Sequence, residues 1–200
     1  MNVTAYIFSF LCSQDASRSF TIAGHLMPLC QRCTGLYVGM GLSFIWLLLN
    51  RYHKKGLLPR SIVYVNILCL LAMPIFGFHL LDPGPVWRLW SGLIYGNAIV
   101  SLFLPAILII CNEERKFVDH TDFSTTSFWI LFIFLNSIPI WFPVQSVWFY
   151  YAVLLLMLVG LLCVVFGVSA VTVSLIKVYV KLAILKGFYY ERSENQYNQL

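Results

Sequence analysis

The chain has 200 residues, of which 60% are hydrophobic and 10% are charged, and its mean hydropathy is +0.82. Soluble domains carry roughly 25% charged residues, so this composition excludes a water-soluble fold. The formal charge is +5, but the basic residues stand in short loops and a tail, where membrane orientation explains them better than nucleic acid does. We therefore expect the lipid bilayer to surround the protein and expect no nucleic-acid partner.

Five apolar stretches approach the roughly 20 residues that a helix needs to cross a bilayer. They cover residues 34–50, 61–81, 89–111, 127–142 and 147–170. These stretches predict an all-α, polytopic transmembrane helix bundle of about five spans. The fourth stretch is short and contains Pro139 and Pro143, which favours a broken or tilted helix.

The last apolar run extends past residue 170 to about 176 and is followed by Lys177, Lys181 and Lys186 at near-helical spacing. This pattern predicts a C-terminal amphipathic helix at the membrane interface, where lysines meet anionic headgroups. The chain then divides into an N-terminal segment of residues 1–33, a helix bundle of residues 34–176 and a basic tail of residues 177–200.

The basic residues fall on one side of the predicted bundle. Ten of them follow the first, third or fifth span: Arg51, Lys54, Lys55, Arg60, Arg115, Lys116, Lys177, Lys181, Lys186 and Arg192. By the positive-inside rule that side is the cytoplasm. The N-terminus and residues 1–33 are then extracytoplasmic, and the tail is cytoplasmic.

A hydroxyl residue followed by Gly-Leu-x-x-Gly occurs twice, at residues 34–39 and 91–96. Glycines four residues apart let two helix backbones approach closely in a membrane. We therefore predict that the first and third spans pack together near their outer ends. The glycines concerned are Gly35, Gly39, Gly92 and Gly96. This packing would make Arg32 and Arg88 neighbours.

The N-terminal segment combines three cysteines with one histidine. Cys30 and Cys33 are separated by two residues, and a tight turn after Pro28 would aim both sulfurs the same way. With Cys12 and His25 they make a Cys3His set of the kind that zinc accepts. The sequence therefore predicts an extracytoplasmic site for zinc or another transition metal.

The same thiols permit two other interpretations. Outside the cytoplasm Cys30 and Cys33 can form a disulfide or a thiol-exchange pair, because a helix N-terminus and Arg32 lower a thiol pKa. They can also be unreactive and simply hold the N-terminal segment onto the bundle. His79, at the predicted outer end of the second span, is a further candidate ligand or an interfacial side chain.

Three arginines are predicted on the extracytoplasmic side, against the trend of the other basic residues: Arg18, Arg32 and Arg88. Guanidinium groups suit phosphate and carboxylate, so they predict an anion site for a lipid headgroup or a lipid-linked phosphate. The alternatives are interfacial anchoring and pairing with Asp15 or Asp82.

Motifs of the common enzyme classes are missing from the sequence. It has no P-loop, no HExxH and no GxSxG, so nucleotide-driven transport and the usual hydrolase routes lack support. No reaction is assigned. Three functions stay open: a metal-binding membrane protein, a membrane thiol-disulfide protein, and a non-catalytic accessory or binding protein.

One group of residues carries a family resemblance: Cys12, Arg18, Ser19, Phe20, Gly24, Pro28, Cys30, Arg32, Cys33, Thr34 and Gly35, with Arg88, Ser91 and Gly92 further on. In these positions the chain resembles a family of bacterial membrane proteins called domain of unknown function 2085. It departs from the pattern at Ser13, where the family has His, and it has no Asp-Gly pair before Arg88. The resemblance implies a bacterial inner (cytoplasmic) membrane and brings no activity with it.

Overall fold

A computed structural model describes residues 6, 8–10, 12, 14–50, 59–77, 84–111, 127, 129–134 and 145–197. Four long α-helices lie in these ranges: α1 is Gln31–Leu49, α2 is Arg60–Gly77, α3 is Pro85–Cys111 and α4 is Val147–Tyr197. Residues 127 and 129–134 are also helical. The described part of the chain is therefore mostly helical, as its composition predicts.

Three stretches of helix are long and apolar enough to cross a membrane: Gln31–Leu49, Pro85–Ile107 and Val147–Lys177. In α2 the apolar stretch Arg60–Pro74 is shorter. Most of the predicted fourth span lies outside the described residues, as do Asp82 and His79. The described residues thus contain three candidate spans, and the total of five stays a prediction.

The C-terminal helix is longer than one membrane crossing needs. α4 has 51 residues, and at about 1.5 Å per residue it extends roughly 75 Å. It continues through Lys177 into the basic tail without a break, so the helix predicted for the tail is the end of α4. The position of that end at the membrane interface stays a prediction.

The helices α1 and α3 run side by side in the same direction, with their backbones in contact. A Cβ atom placed on Gly35 would lie 2.1 Å from the carbonyl oxygen of Leu89, and one on Gly39 would lie 2.3 Å from that of Leu93. From the first contact to the second, the contacting residue moves four positions, or about one turn, toward the C-terminus on both helices, so the two helices are parallel. Such distances are too short for any side chain, so only glycine allows this approach.

The second copy of the glycine motif makes the reciprocal contacts. A Cβ atom on Gly92 would lie 2.2 Å from the carbonyl oxygen of Arg32, and one on Gly96 would lie 2.1 Å from that of Leu36. All four glycines singled out in the sequence thus lie in one interface. This interface places Arg32 and the N-terminal part of α3 at the same end of the bundle.

A second close contact joins α1 to α4. A Cβ atom on Gly160 would lie 2.1 Å from the carbonyl oxygen of Tyr37, and one on Gly41 would lie 2.4 Å from that of Leu156. Gly41 follows Gly39 by two residues, which is about 200° around a helix, so it faces away from α3. The helix α1 is therefore held between α3 and α4 at the centre of the bundle.

One polar pair lies inside the α1–α3 interface. Ser43 and Asn97 are both completely buried, and the Ser43 hydroxyl donates a hydrogen bond to the side-chain oxygen of Asn97. The Asn97 amide in turn donates to the carbonyl oxygen of Leu93 at 2.9 Å. These bonds offset the cost of burying polar groups in an apolar bundle.

A two-stranded antiparallel sheet precedes α1, and the all-α prediction did not include it. Strand β1 is Ser19–Ile22 and strand β2 is His25–Cys30. Ala23 and Gly24 join them with φ angles of 50° and 80°, which are the positive values that a two-residue hairpin turn requires. The strand β2 leads directly into α1, so the hairpin is fixed at the N-terminal end of the central helix.

The tip of the hairpin contacts the start of α4. The Ala23 N–H donates a hydrogen bond to the side-chain oxygen of Gln145 at 2.8 Å, and the rings of His25 and Tyr150 lie 5.2 Å apart. The N-terminal ends of α1, α3 and α4 therefore meet at the hairpin, and we call this the hairpin end of the bundle.

We expect Gly39→Ala to destabilise the protein, because the new methyl group would lie 2.3 Å from a backbone carbonyl of α3. Overpacking of this kind costs about 1–3 kcal/mol. Thermal unfolding in detergent, followed by circular dichroism, measures the effect. Gly167→Ala is the matched control, since its methyl group would meet only the Ile107 side chain at 3.7 Å. Equal melting temperatures for the two variants would contradict the close packing of α1 against α3.

Candidate metal centre

Three cysteines come together at the hairpin end of the bundle. The sulfur atoms of Cys12, Cys30 and Cys33 all lie within 4.8 Å of one another, and each residue is partly buried. A four-coordinate zinc ion with Zn–S bonds of about 2.3 Å holds its sulfur ligands roughly 3.8 Å apart. Small side-chain movements therefore suffice for one ion to bind all three.

Two of the cysteines stand at the junction between β2 and α1. Cys30 is the last residue of the strand and the N-cap of the helix, and Cys33 lies in the first helical turn. This turn folds the chain back, so the two sulfurs approach each other. The Thr34 hydroxyl donates a hydrogen bond to the carbonyl oxygen of Leu29 at 3.2 Å, which ties the same turn to the strand.

The third cysteine is brought in by the N-terminal segment. Phe8 is completely buried and its ring lies 6.5 Å from that of Tyr37 on α1. The Cys12 N–H donates a hydrogen bond to the carbonyl oxygen of Phe8 at 3.3 Å, so Cys12 follows this anchor by one turn. On the other side Ser19 pairs with Cys30 in the sheet. Both flanks of Cys12 are therefore fixed.

The cluster favours a thiolate at Cys30. A hydrogen bond from the Cys33 thiol lowers the pKa of Cys30 to about 5, so this sulfur is ionised at neutral pH. Its place at the start of α1 also favours a negative charge, because a helix N-terminus carries a partial positive charge. The thiolate is the form of cysteine that binds metals and attacks disulfides.

His25 lies outside this group of sulfurs. It occupies the first position of β2 and Cys30 the last, and five residues of extended strand span roughly 16 Å. The His25 ring packs instead against Tyr150 of α4. The structure thus brings together three of the four predicted ligands. His25 is not among them, because an extended strand, and not a compact loop, separates it from Cys30.

Two of the three predicted anion-binding arginines lie at the same end of the α1–α3 pair. The Arg88 guanidinium donates a hydrogen bond to the buried side-chain oxygen of Gln31 at 3.5 Å, and the Arg32 backbone contacts α3 at Gly92. Arg88 therefore reaches the residue that precedes Arg32. Sequence reasoning did not select Gln31, whose polar side chain is buried within this contact.

Arg18 has a carboxylate partner. It lies in a short 3-10 helix, Ala16–Arg18, and its guanidinium group is 3.6 Å from the Asp15 carboxylate. Both side chains are about half exposed, so this ion pair contributes little to stability. Hydrogen bonds from Ser17 lower the pKa of Asp15, and the carboxylate therefore remains charged beside Arg18.

Comparison with known proteins places the site within a family. Residues 12–102 match the family described as "Predicted membrane protein (DUF2085)". An uncharacterised protein of Methanothermobacter thermautotrophicus is 38% identical over 103 residues, which cover 48% of this chain and 86% of that protein. The chain belongs to the DUF2085 family.

A second relative, an uncharacterised protein of Methanocaldococcus jannaschii, is 29% identical over 114 residues, which cover 55% of this chain and 72% of that protein. No solved structure matches the chain. The family region contains all three clustered cysteines and ends within α3, so α4 lies beyond it. The family resemblance is confirmed. Both relatives are archaeal, and the bacterial inner membrane stays a prediction.

We expect Cys33→Ala to raise the pKa of Cys30 toward its ordinary value, because the hydrogen bond that stabilises the thiolate is lost. In metal-free protein near pH 6.5, alkylation of Cys30 by iodoacetamide should slow by about tenfold, since the thiolate is the reacting form. Mass spectrometry of the Cys30 peptide follows the rate. Cys163→Ala, a substitution on α4, should leave it unchanged; equal rates in both variants would contradict the assigned hydrogen bond.

Proposed function

We propose that this protein is an integral membrane metal-binding protein, in which Cys12, Cys30 and Cys33 hold one zinc ion on the extracytoplasmic side. The convergence of three sulfurs supports this function. Two of them come from a single turn, but Cys12 comes from a separate segment that is anchored on both flanks. A disulfide uses only two sulfurs, whereas a metal site accounts for the third.

The distribution of basic residues supports the extracytoplasmic position. The N-terminal ends of three helices meet at the hairpin, so the C-terminal ends of α1 and α3 point to the opposite side. The basic residues Arg51, Lys54 and Lys55 follow α1, and Arg115 and Lys116 follow α3. By the positive-inside rule that opposite side is the cytoplasm.

The surroundings of the cluster suit the charge of such a centre. Three thiolates and one Zn²⁺ carry a net charge of −1, and the N-terminus of α1 faces them with its partial positive charge. The described residues supply three ligands, and zinc is almost always four-coordinate. In the proposed centre the fourth position is taken by an exogenous ligand, as in zinc sites where the metal serves as a Lewis acid.

The arginines at this end favour an anionic partner. Arg88 donates a hydrogen bond to Gln31, the residue before Arg32, and the Arg32 backbone contacts α3 at Gly92. Both arginines therefore belong to the hairpin end, next to the cluster-bearing turn of α1. Their guanidinium groups suit the phosphate of a lipid headgroup or of a lipid-linked substrate. The proposed function is thus a zinc centre that meets anionic lipid at the membrane surface.

Metal analysis of protein purified in detergent tests the zinc centre. We expect about one zinc ion per chain in the wild type, and roughly a tenth of that or less in Cys12→Ser and Cys30→Ser, because each change removes a ligand. Cys69→Ser on α2 and His25→Gln, which lie outside the sulfur group, should retain the metal. Negligible zinc in the wild type would remove the proposal, and loss in His25→Gln would restore His25 as a ligand.

A second candidate function is thiol-disulfide exchange by Cys30 and Cys33. It is favoured by the N-cap position of Cys30 together with its pKa of about 5, because a thiolate at a helix start with a second thiol two residues on is suited to exchange.

Alkylation after two treatments separates the candidates. A zinc centre releases all three thiols on chelation alone. A disulfide between Cys30 and Cys33 releases those two thiols only after reduction, and Cys12 is then free throughout. We expect three alkylated cysteines in the cluster after chelation without reductant. Alkylation of Cys12 alone under these conditions would favour the exchange function.

A further inference from the structure

Tyr37 lies against the sulfur cluster on its bundle side. It follows Cys33 by four residues on α1, which is one helical turn, so both side chains lie on the same face. Long side chains in a helix point back toward its N-terminus. The Tyr37 ring is therefore directed toward the turn that carries Cys33 and Cys30.

The ring also contacts the segment that carries the third sulfur. Tyr37 is only 8% exposed, and it packs against Phe8, whose carbonyl oxygen accepts the Cys12 N–H. Cys12 and Cys33 both pack against the buried hydrophobic cluster to which Tyr37 and Phe8 belong. The Tyr37 ring thus lies between the turn that carries Cys33 and the segment that carries Cys12.

We infer that Tyr37 contacts the exogenous ligand of the metal ion, a water molecule or small anion, by donating a hydrogen bond from its hydroxyl. This inference rests on the proposed zinc centre, whose three sulfur ligands leave one position of a tetrahedral ion for such a ligand. A neutral phenol stabilises a bound anion in a partly buried site without adding a charge of its own. The hydroxyl therefore selects what occupies the fourth position, and the sulfurs hold the ion.

Cobalt(II) in place of zinc makes the site visible, because its absorption spectrum changes when an anion enters the fourth position. Full-length protein in lipid nanodiscs is loaded with cobalt and titrated with azide. We expect Tyr37→Phe to bind cobalt within about twofold of the wild type and to bind azide about tenfold more weakly, the cost of one hydrogen bond to a charged group. Tyr64→Phe, on an exposed position of α2, is the control and should match the wild type.

The outcomes separate this inference from the proposed function. Failure of the wild type to bind cobalt overturns the metal centre itself. Normal cobalt binding with unchanged azide affinity in Tyr37→Phe overturns only the role of Tyr37, and so does a wild-type cobalt spectrum that azide does not alter. Loss of cobalt in a folded Tyr37→Phe protein also overturns it, because Tyr37 would then support the sulfurs themselves.

A measurement on the wild type covers the case in which Tyr37→Phe does not fold. In zinc-loaded protein labelled with ¹³Cζ-tyrosine, addition of azide should shift the Tyr37 signal and leave that of Tyr64 in place. An unshifted Tyr37 signal overturns the inference.

Discussion

The close approach of α1 to two neighbouring helices is the constraint on which the rest of the structure depends. Helices in lipid gain little from the hydrophobic effect, so their association relies on tight van der Waals packing. Gly39 and Gly96 bring α1 and α3 into backbone contact, and Gly160 does the same for α4. With α1 fixed between them, the N-terminal ends of three helices meet. The hairpin and the cysteine-bearing turn are carried to that meeting point.

The sulfur cluster is a consequence of this arrangement. The start of α1 fixes Cys30 and Cys33, and the Phe8–Tyr37 contact holds the N-terminal segment against the same helix. Cys12 therefore reaches the other two thiols through tertiary packing. Three partly buried sulfurs beside a helix N-terminus form a site that stabilises negative charge, which metal binding and thiol exchange both require.

The two chemistries differ in their use of the third sulfur. A thiol pair needs one low-pKa cysteine and one partner, and Cys30 with Cys33 meets that requirement alone. A metal ion can bind ligands from separate segments and thereby link those segments. The anchored position of Cys12 allows this, because it holds the third sulfur beside the other two. In a small membrane protein such a bond would also hold the hairpin against α1, so stability and chemistry would depend on the same three residues.

The sequence by itself determined the membrane character, the approximate limits of the helices and the glycine motif that joins α1 to α3, because hydropathy and four-residue spacing are local patterns. It also singled out Cys12, His25, Cys30 and Cys33 as one set of candidate ligands. Only the tertiary structure brought Cys12 to the other two thiols and placed His25 away from them, because a β-hairpin forms in a segment that the sequence analysis treated as a loop. The contact of Gly160 with α1 was equally hidden, because a single glycine in an apolar stretch has no spacing signal, and its role depends on which helix lies opposite.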